Sequence, residues 1–166
     1  LKSEWLTTGP LVEQFEEKIS SIVGAGSVSV SSGTAALHCA YAAIGIEPGD
    51  EVITPPITFI ATQATAAIMG AKIVFADVEA DTANINPDCV ESLITSKTKA
   101  IVAVDYAGHP AELLALRKIA DKYGIYLIED AAHSIGSKFR GRLVGSIADL
   151  TTFSFFPTKN ITTGEG

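Results

Sequence analysis

The run Ala100-Ile101-Val102-Ala103-Val104, the helix-patterned residues 111–123 closed by Gly124, and the run Tyr126-Leu127-Ile128 decide the fold. The first and last runs are short and largely apolar, which is how strands buried on both faces of a parallel sheet read. Between them apolar residues recur at helical spacing, and a glycine stands where the helix must stop. Strand, helix, strand is one crossover unit. Working outward, the same rhythm recurs. Residues 72–76 and Glu51-Val52-Ile53-Thr54 read as strands, the second stopped by Pro55-Pro56. Residues 59–69 read as a helix ended by Gly70, and 87–94 as a short helix with Asn86 as its N-cap. Residues 33–44 read as a buried helix opened by Ser32 and closed by Gly45. Residues 10–23 carry Leu11, Phe15, Ile19 and Ile22 near helical spacing, with Pro10 at the start. Two more β-prone runs lie at 28–31 and 149–153. Strands alternating with helices predict an α/β fold, a three-layer α/β/α sandwich around a mostly parallel sheet.

The chain has 166 residues, of which 47% are apolar and 19% charged. That length and composition suit one well-buried domain. A net charge of −7 argues against nucleic acid or an anionic membrane as partner. It leaves room for phosphate, which backbone N–H groups bind without net positive charge. Cys39 and Cys89 stand far apart, outside any C-x-x-C pair, and suggest reduced thiols in a cytoplasmic protein. No apolar run reaches membrane-spanning length. The opening Leu1-Lys2-Ser3-Glu4 reads as mid-protein sequence, and the close at Thr162-Thr163-Gly164-Glu165-Gly166 reads as a domain cut before its last strands.

Four segments carry chemistry. Ser31-Ser32-Gly33-Thr34-Ala35-Ala36 is a small-residue turn between an extended run and a helix. It is an ordinary N-cap, or a site where the free amides of the helix meet an anion. Ile128-Glu129-Asp130-Ala131-Ala132-His133 places an acid at the carboxyl end of a buried strand, where open α/β sheets bind ligands. Asp130 is then a helix-capping residue, or the partner of a protonated pyridine nitrogen. His133 fills a helix face or donates to a ligand oxygen. In Phe153-Ser154-Phe155-Phe156-Pro157-Thr158-Lys159-Asn160, Lys159 is a solvated surface residue, or an amine desolvated enough to attack an aldehyde. Phe59, in Pro56-Ile57-Thr58-Phe59, packs in the core or stacks on a flat ring. The three histidines and two cysteines show no metal-ligand spacing, so no metal is expected.

The order and spacing of these segments resemble the DegT/DnrJ/EryC1/StrS aminotransferases. So do Trp5-Leu6-Thr7-Thr8-Gly9-Pro10, Pro48-Gly49-Asp50-Glu51-Val52-Ile53, Thr58-Phe59-Ile60-Ala61-Thr62 and Tyr106-Ala107-Gly108-His109-Pro110. The resemblance covers the whole chain but only the first part of that family's length. It implies the large domain of a fold-type I pyridoxal 5'-phosphate (PLP) enzyme over residues 1–166, truncated and without its C-terminal small domain. It further implies that Lys159 joins the cofactor covalently and that Asp130 pairs with the pyridine nitrogen. Ser154, Thr34 and Ala35 would bind the phosphate, Phe59 would stack on the ring, and His133 would stand where many members carry Gln against the ring hydroxyl. Asp105 stands where many members have His. The implied reaction moves an amino group from an amino acid, glutamate, to a nucleotide-linked keto-sugar, in a homodimer. The 106–110 loop and His133 resemble most the branch that aminates UDP-linked 4-keto-6-deoxy-N-acetylhexosamines for pseudaminic acid. Two other outcomes are a fragment that keeps the fold without turnover, and a sugar dehydratase relative. The dehydratases carry His in place of the lysine, so Lys159 argues against them.

Overall fold

Five parallel strands lie side by side in the order β2-β1-β3-β4-β7. They are β1 (Glu51–Thr54), β2 (Lys72–Phe75), β3 (Thr98–Val104), β4 (Tyr126–Asp130) and β7 (Leu150–Thr152). A computed structural model describes residues 8–164 of the chain. β3 and β4 run in register from Ala100 opposite Tyr126 to Val104 opposite Asp130. β7 continues the register, with Thr152 opposite Asp130. Side chains alternate across a pleated sheet. Val52, Ala100, Val102 and Ile128 therefore face one layer, and Ile53, Ile101, Ala103 and Leu127 the other.

The first layer is α2 (Gly33–Ala43) and α3 (Ala61–Ile68), which contribute Leu37, Ala40, Tyr41, Ala61 and Ala66. The second is α4 (Pro87–Val90) and α5 (Leu113–Tyr123), which contribute Val90, Leu113, Leu116 and Ala120. The result is the expected three-layer sandwich. Each large aliphatic side chain fully buried in it contributes roughly 1.5–3 kcal/mol. α1 (Pro10–Val23) packs beside β7, where the rings of Phe15 and Phe155 meet edge-to-face at 5.0 Å.

Local chemistry sets the ends of these helices. Ser32 caps α2 by accepting the Ala35 amide, and Asn86 caps α4 by accepting the Asp88 amide. Gly24 and Gly124 end α1 and α5 in the left-handed conformation. Two expectations are corrected, and one unannounced element is added. Residues 28–31 form no strand; the Ser29 amide donates to Glu16 Oε1 on α1, and Val28 is largely exposed. The helical segment after residue 87 tightens into a 3-10 turn at Glu91–Leu93. A two-stranded hairpin, β5 (Lys138–Phe139) with β6 (Arg142–Leu143), is too short to leave a period in the sequence. Among the described residues no helix is long and apolar enough to cross a membrane.

Candidate active site

The carboxyl ends of β1, β3, β4 and β7 open into one cavity of about 790 Å³. In open α/β sheets this end is where ligands bind, because the loops there diverge and leave a crevice. Thr34, Phe59, Asp130, His133, Ser154 and Lys159 all line it. These residues come from four separate stretches of chain, and only the parallel sheet brings them together.

Asp130 ends β4 and is buried. Its Oδ2 accepts the Thr62 hydroxyl at 2.6 Å, and its Oδ1 accepts the Ala132 amide at 3.3 Å. Burial pushes its carboxyl above the usual range, while those two hydrogen bonds and the charges of Lys159 and His133 pull the other way. Such a carboxylate is stabilised by a cation brought into the cavity. Lys159 Nζ lies 2.7 Å from His133 Nε2. Burial, and then the charge of Lys159, hold His133 below its ordinary range against the pull of Asp130. An imidazole with its proton on Nδ1 would accept from the lysine through Nε2.

The amino end of α2 meets β7 at Gly33. A Cβ at that position would stand 3.0 Å from Ser154 Cβ and 3.2 Å from its Oγ. Only a glycine lets the first turn of the helix approach the serine so closely. This wall joins helix amides, the Thr34 side chain and the Ser154 hydroxyl, a set suited to a phosphate. Ala35 stands apart from its expected role. It does not line the cavity, and its amide already donates to Ser32 Oγ at 3.1 Å. Phe59 is 73% exposed at the rim, which removes core packing as its purpose and leaves a ring face free for stacking. A buried carboxylate short of a cation, a glycine-made anion cradle, a free aromatic face and a lysine in one cavity fit PLP. Among the described residues no group of three or more His, Cys, Asp or Glu could hold a metal ion.

The site is braced from behind by Asp105, which the sequence marked only as a departure from the family pattern, and by Asn84, which it did not mark. Asp105 is buried and organises a loop: it accepts the Ser134 hydroxyl at 2.5 Å and the Ala111 amide at 3.0 Å. Asn84 clamps the same loop, donating to His109 O at 3.0 Å and accepting the Tyr106 amide at 3.0 Å. Within the loop Gly108 has φ +85°, and a Cβ there would meet His133 O at 2.8 Å. The loop thus packs directly on the backbone that carries His133. In Trp5-Leu6-Thr7-Thr8-Gly9-Pro10, residues 5–7 lie outside the described residues.

A model of the DegT/DnrJ/EryC1/StrS aminotransferase family matches residues 1–166. The spore coat polysaccharide biosynthesis protein SpsC of Bacillus subtilis is 47% identical over 167 aligned positions, covering all of this chain and 43% of SpsC. The protein Spr1654 of Streptococcus pneumoniae, described as a sugar aminotransferase and solved in PLP, PMP and apo forms, superposes with a TM-score of 0.95. Its identity is 36% over 99% of this chain and 46% of that one. PseC of Helicobacter pylori, an aminotransferase of pseudoaminic acid biosynthesis, superposes with a TM-score of 0.93 at 35% identity, over 98% of this chain and 44% of that one. The chain spans less than half the length of the curated relatives it matches.

Proposed function

The chain belongs to the DegT/DnrJ/EryC1/StrS aminotransferase family, and on that premise we propose that it is the cofactor-binding large domain of a sugar-nucleotide aminotransferase. In the whole protein the amino group passes from an amino acid, glutamate, to a nucleotide-linked keto-sugar. The observation that carries this reading is the single cavity in which Lys159, His133, Asp130, Phe59, Thr34 and Ser154 meet. PLP is the cofactor, and it supplies an electron-poor ring that withdraws charge from the carbon bearing the transferred nitrogen.

The chain's own residues have distinct tasks. Lys159 provides the amine that holds the cofactor and, once that amine is free, a base that moves the substrate proton. His133, 2.7 Å away, hydrogen-bonds the amine through Nε2 and orients it. Asp130 supplies the negative charge opposite the ring nitrogen, in a wall where little water competes. Ser154, Thr34 and the amides of α2 anchor the phosphate and set the depth of the ring. Phe59 covers one ring face. The finer substrate is a UDP-linked 4-keto-6-deoxy-N-acetylhexosamine, a choice that rests on the 106–110 loop and His133. A bulky nucleotide offers remote binding energy that orients the ketone. The exposed apolar rim formed by Ile57, Phe59, Tyr106 and Phe156 suits a second copy of the protein closing the site.

The test uses the intact protein with PLP, glutamate, simple keto acids and UDP- or dTDP-linked keto-sugars. Amine transfer to a keto-sugar is expected, with borohydride fixing PLP on the wild type and not on Lys159→Ala. Transfer to keto acids alone, or PLP still fixed on the variant, refutes the reading.

A further inference from the structure

Asp130 is held by a residue 68 positions away in the sequence. Thr62 lies in the first turn of α3 and is fully buried. Its hydroxyl stands 2.6 Å from Asp130 Oδ2, 2.8 Å from Thr58 Oγ1 and 3.2 Å from Phe59 O. One hydroxyl carries one proton, and a carboxylate oxygen at 2.6 Å is a far better acceptor than a carbonyl at 3.2 Å. The Thr62 proton therefore goes to Asp130, and Thr58 donates to Thr62. Each donation polarises the next, so Thr58, Thr62 and Asp130 form one directed chain.

The backbone of Thr62 is fixed as firmly as its hydroxyl. Its carbonyl accepts the hydroxyl of the fully buried Tyr41 at 2.6 Å, and its amide donates to Phe59 O at 3.2 Å. Three elements thus converge on one threonine: α2 through Tyr41, the loop before α3 through Thr58 and Phe59, and β4 through Asp130. A valine would fill nearly the same volume and keep both backbone bonds, so what the threonine adds is the hydroxyl's contacts with Asp130, Thr58 and Phe59 O.

We propose that Thr62 is a positioning residue for the reaction: it takes one oxygen of Asp130, leaves the other for the cofactor's ring nitrogen, and ties that carboxylate to the Phe59 loop. The inference rests on the PLP reading given above. It adds that the carboxylate's orientation and basicity are set by α3, which carries none of the residues proposed to touch the cofactor.

The experiment compares Thr62→Val with Thr62→Ser in the intact protein. Its readouts are PLP affinity, the pH midpoint of the bound cofactor's visible absorbance, and kcat and KM for the keto-sugar. Thr62→Val is expected to weaken PLP binding about 10-fold, the scale of a lost hydrogen bond to a charged group. It should also shift the absorbance midpoint and lower kcat more than it changes KM. Thr62→Ser, which keeps the hydroxyl, should restore the midpoint and most of the affinity. A valine variant with wild-type affinity and midpoint overturns the proposal. So does equal weakening in both variants with an unmoved midpoint, which would make the methyl group the important part. If the valine variant does not fold, Thr58→Val breaks the chain one link earlier and should move the midpoint in the same direction by less; an unmoved midpoint then overturns the proposal. Wild-type protein that never binds PLP refutes instead the cofactor reading beneath it.

Discussion

At the scale of single residues the site is defined as much by what lies behind it as by what lines it. Glu129, next to Asp130 on β4, is fully buried and points to the other face of the sheet. Its Oε2 accepts the Gly145 amide at 3.1 Å and the Thr151 hydroxyl at 2.9 Å, whereas Oε1 is buried with no partner among the described residues. Burial, then the charge of Asp105, pushes Glu129 up to about 8. Burial likewise pushes Asp105 up to about 6, against the hydrogen bonds from Ser134 and Ala111. Two carboxyls crowded into a buried space disfavour each other's ionisation, so Glu129 keeps its proton to higher pH. Folding then takes up a proton wherever the pH lies between the unfolded value near 4.5 and the folded value near 8. The native state binds more protons than the unfolded state in that window, so stability falls as pH rises through it. Denaturant titrations across the window should show this loss, of the order of a few kcal/mol. Glu129→Gln, which cannot ionise, should flatten the profile and be more stable than wild type near its upper end. A variant with the wild-type slope would clear Glu129 of the effect.

At the scale of elements, the contact between α2 and β7 joins the fold to the chemistry. The first residue of α2 is Gly33, and its bare Cα lets Ser154 lie against the helix end. Gly33→Ala brings two opposed effects. Alanine is the better helix former by about 1 kcal/mol. Its Cβ would sit 3.0 Å from Ser154 Cβ, tighter than ordinary contact, so the serine must shift by a few tenths of an ångström. The fold absorbs such a shift more readily than a phosphate site does, because its hydrogen bonds depend on distances of that size. We expect a melting temperature close to wild type with PLP affinity reduced several-fold, read by thermal denaturation and cofactor titration on the same sample. Unchanged affinity would show that the phosphate does not sit at this junction.

At the scale of the whole molecule, the mouth of the cavity is bordered by large apolar side chains. Phe59 is 73% exposed, with Ile57, Tyr106 and Phe156 also accessible. Apolar surface gathered at a functional rim, and not scattered singly, marks a surface that another molecule covers. The homodimer proposed above, in which each copy closes the other's site, would account for it. Sedimentation velocity of the intact protein at micromolar concentration should give a dimer, and Phe156→Asp should shift it toward monomer. A wild-type monomer at that concentration would remove the second copy from the proposal.

What the sequence determined by itself follows from local physics. The apolar run at 100–104 and the helical period at 111–123 record burial, although the helix itself begins at Leu113. Ser32, Asn86 and Gly124 record where backbone groups need a cap or a left-handed turn. From these the layered α/β architecture was legible. Six of the residues that line the cavity, from Thr34 to Lys159, stood in motifs readable in order, although Ala35 was counted with them and lies outside the wall. Tertiary structure decided the rest, because the contacts concerned join residues far apart in the chain. Residues 28–31 have the composition of a strand, but a strand also needs a neighbour, and their backbone turns to α1 instead. The order β2-β1-β3-β4-β7 set Asp130 beside Thr152 and brought Ser154 to α2. No period or cap in the sequence could announce that a threonine of α3 holds the acid of β4, since a hydroxyl's partner is fixed only when the chain between them has folded.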